Sequence, residues 1–265
     1  MGKHLLIYFG FVTSQFMMAD NPIFVGADPH AYCFDGTIYV YPTSGAARQF
    51  FVYSSEDLQT WQSHQPILDF TEIGWIPNDK CAWAPGVIEK NGTFYFYYSV
   101  GPKPSSIGVA YSHLPTGQFF DSGQAVLSDN DDPSLEAIDP MVFRDPMSRK
   151  YYLYVGGSAG AKLRIFELND DMKSISQEIS ATTPFNFTEG AFMHYRNGIY
   201  YLSYSHGQYL YDTYSVHYAT SSTPLGPWNY KGAFLVSNDD YKGPGHHSFL
   251  YNSEQDEWYI FYYRW

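Results

Sequence analysis

Cationic side chains and cysteines are scarce in this chain. Lysine and arginine together number 15 against 27 aspartates and glutamates over 265 residues, a formal net charge of −12. Nucleic acid or an anionic membrane would need clustered Lys and Arg, so neither is expected as a partner. Two cysteines, Cys33 and Cys81, allow one disulfide without implying it, and two buried free thiols fit the count equally well. No segment has the period of a long amphipathic helix, and the apolar run Leu5 to Val12 is too short to span a membrane.

That run lies between Lys3-His4 and the small residue Ala19, the plan of a secretory signal with cleavage after Ala19. Residues 1–19 would then be a leader and 20–265 the mature domain, secreted or periplasmic. The same segment also reads as a strand of the mature fold, in which case the chain is cytoplasmic. Asn91-Gly92-Thr93 and Asn186-Phe187-Thr188 match the glycosylation pattern, although Asn91 is more simply a turn residue.

Aromatic residues are abundant, at 20% of the chain with 26 Tyr and 20 Phe, which suits broad strands packed sheet on sheet. They sit in a motif that recurs five times, about every 55 residues. The copies open at Ala27-Asp28-Pro29, Trp83-Ala84-Pro85, Ile138-Asp139-Pro140, Glu189-Gly190-Ala191 and Gly245-His246-His247. Each continues as two alternating apolar stretches around a turn signal such as Asp35-Gly36, Asn91-Gly92 or Asn197-Gly198, the pattern of a β-hairpin. Further strand-like pieces follow, enough for four strands per repeat. The expected fold is therefore all-β, a five-bladed β-propeller forming one domain. The innermost strand of each blade lines the axis, so Asp28, Asp139 and Glu189, which open three of these strands, should converge on one pocket.

Three converging carboxyl groups suit glycosidic-bond cleavage with inversion. One acid protonates the leaving oxygen and one carboxylate activates water on the opposite face of the ring. A third, ionised carboxylate beside the acid keeps it protonated near neutral pH. A lone Asp-Pro is ordinarily a turn cap, but three acids at repeat-related positions are harder to assign to capping. Trp83, next to the axis, is a candidate wall for a sugar. His30 and Phe34 follow Asp28 in its strand, and alternation turns His30 to the side of Asp28. Both are candidate sugar contacts. Arg144-Asp145-Pro146 falls where the other repeats have their turn and is read as a turn.

The five openings, with Gly243-Pro244-Gly245-His246-His247 as the last, resemble the blade-start motifs of glycoside hydrolase family 43 over residues 21 to 265. The resemblance implies an inverting glycosidase acting on plant-type polysaccharides or oligosaccharides, foremost an α-L-arabinofuranosidase or β-D-xylosidase, with galactosidase activity behind. It implies Asp28 as general base, Asp139 as the residue that tunes and orients the acid, and Glu189 as general acid. It also implies Arg264 as a contact to the reacting sugar, and a structural Ca²⁺ in the axial channel held through His246, with His247 the lesser choice. No organic cofactor is implied.

The chain departs from the family's pattern at its C-terminus, where Trp265 follows directly on the inner hairpin of the fifth repeat and leaves the last blade incomplete. An N-terminal strand from Leu5 to Val12 would fill part of that gap. The alternative function is a non-catalytic sugar-binding propeller or an inactive, truncated glycosidase.

Overall fold

Each repeat opens as an antiparallel hairpin, because alternating apolar strands flank residues that tolerate a left-handed backbone. In the computed structural model, which describes residues 4–7, 21–44, 48–130, 132, 134–158, 160–253 and 256–265, these hairpins pair Ala27–Phe34 with Thr37–Thr43, Cys81–Lys90 with Thr93–Gly101, Met141–Arg144 with Tyr151–Val155, Glu189–Arg196 with Ile199–His206, and Gly245–Asn252 with Glu257–Arg264. Three turn on Asp35-Gly36, Asn91-Gly92 and Asn197-Gly198, where both residues have φ between 51° and 83°, as a type I′ turn requires. The third turns at Asp145, whose carboxylate accepts from the Met147 and Ser148 backbone N–H groups and from the Tyr200 hydroxyl. The turn reading of Arg144-Asp145-Pro146 therefore holds.

Outer strands extend four of the hairpins into sheets of four or five strands, and the fold is an all-β propeller. A short 3-10 turn, Phe70–Glu72, is the only helical element among the described residues, and no helix there is long and apolar enough to cross a membrane. The fifth hairpin is extended by His4–Ile7, which runs antiparallel to Glu257–Arg264 and gives a three-stranded sheet. Of the segment read as a leader, only these four residues are described; the rest, with the cleavage position at Ala19, lies outside the described residues.

The tyrosines explain how neighbouring sheets are held. Tyr41, Tyr97 and Tyr154 occupy the same register in three hairpins, and all are fully buried. Each donates its hydroxyl to a backbone carbonyl of the following repeat, at Pro115 (2.8 Å), Met172 (2.5 Å) and Pro224 (2.6 Å). A buried tyrosine needs such an acceptor, and the ring supplies the apolar contact around it. Phe50, Phe70, Phe96 and Tyr98 fill the space between the first two sheets with tilted and edge-on contacts. Cys33 and Cys81 are not joined in a disulfide.

Candidate active site

The start of every inner strand has an unusual backbone. Asp28, Ala84, Asp139, Gly190 and His246 all have φ between 30° and 62°, and in four of the repeats the ladder is bulged at this point. A left-handed residue followed by a bulge re-aims the adjoining side chains toward the axis. The geometry also refines the repeat alignment. Asp28 and Asp139 are equivalent, whereas Glu189 stands one residue earlier, because Gly190 takes the left-handed position.

Three of these junctions are tied by a hydroxyl at the end of the preceding hairpin. Thr43 Oγ1 accepts from the Ala84 N–H (2.6 Å), Ser99 Oγ from Asp139 (2.9 Å) and Ser205 Oγ from His246 (2.8 Å). The equivalent residue of the third hairpin is Gly156, which has no hydroxyl, and there the Gly190 N–H donates to Asp139 Oδ2 at 3.0 Å. Glycine suits position 190, since an added Cβ would stand 3.2 Å from His246 Cγ, a tight contact, on a backbone with φ +62°.

Asp28, Asp139, Glu189 and His246 line one cavity of about 700 Å³, together with Trp83 and Ser158. His246 Nδ1 lies 3.2 Å from Asp28 Oδ1 and 3.7 Å from Asp139 Oδ2. Burial opposes a charge on His246, yet the carboxylates of Asp28, Asp139 and Glu189 outweigh it and raise its pKa. Asp139 is pushed up to about 8, first by burial; the His246 charge and the Gly190 N–H pull it down, while Glu189 and Asp28 push it further up. Glu189 Oε1 accepts from the Tyr214 hydroxyl (2.7 Å) and Oε2 from the Ser158 hydroxyl. Trp83 keeps its place beside the carboxyl groups because residue 101 is glycine: a Cβ there would fall 2.1 Å from the indole.

Other expected contacts lie elsewhere. His30 is buried below the site with Nε2 3.0 Å from the Val87 carbonyl, and it faces a second, smaller cavity. The strand bulge between Ala27 and His30 breaks the alternation that would have turned it toward Asp28. Phe34 is at the far end of that strand, partly exposed and edge-on to Phe94 at 4.9 Å. Arg264 is buried with its guanidinium 3.4 Å from the Tyr241 ring centroid, and it does not line the cavity; its neighbour Tyr263 does.

Calcium takes six to eight oxygen ligands. No group of three or more His, Cys, Asp or Glu able to hold a metal occurs among the described residues, and the His246 imidazole is already directed at two carboxylates. His247 uses Nε2 on Ser203 Oγ at 2.7 Å and packs among Phe192, Phe234 and Phe249. These side chains alone do not form a calcium cage, so a cation held through His246 would take most of its ligands from water.

Ser158 and Tyr214, which bond the Glu189 carboxyl, were not legible in the sequence. Both sit in connections after the second strand of a hairpin, outside the recurring motif. Gly245 is the one indirect signal for Tyr214, since a Cβ there would be 1.9 Å from its ring.

The family model described as glycosyl hydrolases family 43 matches residues 19–265. A β-D-galactofuranosidase of Aspergillus niger is 35% identical, covering 95% of this chain and 78% of that protein. A crystal structure of a family 43 β-xylosidase/α-arabinofuranosidase from a compost microbial metagenome, in complex with xylotriose and in a calcium-free form, matches with TM-score 0.73 at 30% identity, covering 89% of this chain and 84% of that one. An α-L-arabinofuranosidase from Clostridium thermocellum matches with TM-score 0.76 at 29% identity, covering 89% and 81%.

Proposed function

The chain belongs to glycosyl hydrolase family 43, and from that premise we propose that this inverting glycoside hydrolase removes single terminal sugars, with α-L-arabinofuranosides as its leading substrates. The observation that carries the reading is one cavity of about 700 Å³ lined by Asp28, Asp139, Glu189 and Trp83, within the range of small-molecule sites and with all three carboxyl groups in its lining. The similar proteins act on galactofuranosides, xylosides and arabinofuranosides. α-L-Arabinofuranose has the ring configuration of β-D-galactofuranose with an exocyclic chain one carbon shorter, and like xylose it is a pentose. It is thus the sugar common to these specificities, with β-D-xylosides the second choice.

In this reading Glu189 is the general acid, Asp28 the general base and Asp139 the group that tunes and orients Glu189. Glu189 gives its proton to the glycosidic oxygen as the C1–O bond breaks with its electron pair going to the leaving group. Water attacks C1 from the opposite face and yields its proton to Asp28. Burial of Asp139 beside Glu189 supports this, because two buried carboxyl groups in proximity do not both ionise easily. Asp139 therefore keeps a carboxyl proton near neutral pH next to Glu189. A binding module without catalysis would not need all three acids in one cavity.

The scaffold is read as five blades, with the fifth built from Gly245–Asn252, Glu257–Arg264 and His4–Ile7, three strands among the described residues against four or five in the others. Secretion through a leader at 1–19 would remove His4–Ile7 from that blade, so the two uses of this segment compete.

Proton NMR of the first product formed from an α-L-arabinofuranoside, a β-D-xyloside and a β-D-galactofuranoside tests the function. Release of the inverted anomer, fastest from the arabinofuranoside, is expected. A retained anomer would remove Asp28 as a base acting through water.

A further inference from the structure

Glu189 is held by two hydroxyls that differ in where they stand. Tyr214 is buried behind the carboxyl and does not line the cavity, and its hydroxyl donates to Oε1 at 2.7 Å. Ser158 lines the cavity, and its hydroxyl meets Oε2. We propose that Tyr214 and Ser158 are positioning residues that make Oε2 the proton-delivering oxygen of Glu189 and pin Oε1 as a permanent acceptor. The proposal rests on Glu189 being the general acid.

The chemistry of the two partners differs as the proposal requires. Burial, and then the Glu189 charge, raise the Tyr214 phenol well above its ordinary value, so it stays a neutral O–H that donates in either state of Glu189. A carboxylic acid that accepts at Oε1 must carry its own proton at Oε2. Its partner Ser158 lines the cavity while the partner of Oε1, Tyr214, does not, which puts Oε2 on the side where the leaving glycosidic oxygen arrives. Ser158 can accept from the Oε2 proton before the reaction and donate to the carboxylate afterwards, because a hydroxyl does both. The proton moves from Oε2 to the leaving oxygen, and neither Tyr214 nor Ser158 gains or loses one overall.

Two features fix the tyrosine. Its ring lies against Gly245, where any Cβ would overlap it at 1.9 Å. Its hydroxyl is also within reach of Ser205, the residue that holds the His246 N–H. Phenylalanine at 214 keeps the ring contact and removes only the donor.

Acid assistance matters in proportion to how poor the leaving group is, which gives a readout that a loss of packing would not produce. The test compares full-length wild type, Tyr214→Phe, Ser158→Ala and Glu189→Gln on aryl glycosides of α-L-arabinofuranose, β-D-galactofuranose and β-D-xylose, from dinitrophenyl to unsubstituted phenyl leaving groups. General acid catalysis is worth about 10² to 10⁴. Tyr214→Phe should lower kcat about tenfold or more on phenyl glycosides and less than about threefold on dinitrophenyl glycosides, with KM little changed. Ser158→Ala should follow the same trend more weakly. An equal loss on every leaving group, or no loss, overturns the proposal. If Glu189→Gln itself shows no leaving-group dependence, the assignment of the acid falls first. Thermal unfolding of Tyr214→Phe within about 4 °C of wild type separates a positioning effect from misfolding.

Discussion

The Gly190 N–H donates to Asp139 Oδ2 at 3.0 Å, joining the start of the third inner strand to the start of the fourth. At the three preceding and following junctions a Thr43, Ser99 or Ser205 hydroxyl performs this task. The third hairpin has no such hydroxyl, because a Cβ at Gly156 would stand 2.0 Å from the Lys162 carbonyl. A carboxyl group in the cavity therefore also closes the scaffold beneath Glu189.

This double duty separates two substitutions. Asp139→Asn keeps an acceptor for Gly190 but loses the exchangeable proton, whereas Asp139→Ala leaves a buried N–H without a partner, a cost of about 1–3 kcal/mol. Both should lose activity by about a hundredfold or more, in line with a group supporting acid catalysis. Only Asp139→Ala should also unfold at clearly lower denaturant concentration. Equal stability of the two variants would remove the bond from its structural role.

Stability should fall as pH rises. The folded value of Asp139, about 8, is above the ordinary carboxyl value of about 4 expected for the unfolded chain. Between these limits the native state holds a proton that the unfolded state has released, so its contribution is present at low pH and is lost toward pH 8. His246 acts in the same sense: its raised pKa gives stability below its ordinary value that disappears as pH passes the folded value. The thermal midpoint of the wild type should drop between pH 5 and 8 more steeply than that of Asp139→Asn, and parallel curves would contradict the burial argument.

The two outer carboxyl groups should differ in their dependence on the leaving group. Glu189→Gln should lose about 10² to 10⁴ in kcat on oligosaccharides and much less on dinitrophenyl glycosides, while still binding sugar. Asp28→Asn should lose activity on both, since water must be activated whatever departs. The reverse pattern would exchange the roles.

The hairpins and the convergence of Asp28, Asp139 and Glu189 were legible because they depend on local signals: alternating aromatics, Asn-Gly and Asp-Gly turns, and a repeat spacing. The bulge was not. A strand that begins with a left-handed residue breaks the two-residue period, and for this reason His30 points to the Val87 carbonyl rather than to the cavity. Tyr214 and Ser158 were hidden for a different reason: they lie in connections whose shape depends on packing against Gly245 and Ile138, contacts distant in sequence.

Gly190→Ala tests the left-handed start. The added Cβ would press on His246 Cγ at 3.2 Å and Ser205 Oγ at 3.4 Å, and alanine at φ +62° costs about 1–2 kcal/mol in itself. Because Glu189 precedes this residue, kcat should fall along with stability. Full activity with a lower melting temperature would show that the Glu189 geometry tolerates a shifted Gly190.

The N-terminal strand provides the last test. His4–Ile7 pairs with Leu5 opposite Tyr263 and His4 opposite Arg264, on the strand whose Tyr263 lines the cavity. Without it, Glu257–Arg264 becomes an open edge with unpaired N–H and C=O groups, the kind of edge that invites association between chains. A protein made from residue 20 onward should melt at least about 2–4 °C lower, as a loss of about 1 kcal/mol implies at this size, and should aggregate sooner on heating. Its KM should rise as Tyr263 loosens. If the shortened protein matches the full chain in melting temperature, aggregation and KM, the strand contributes nothing to the fold and the segment is free to serve as a leader.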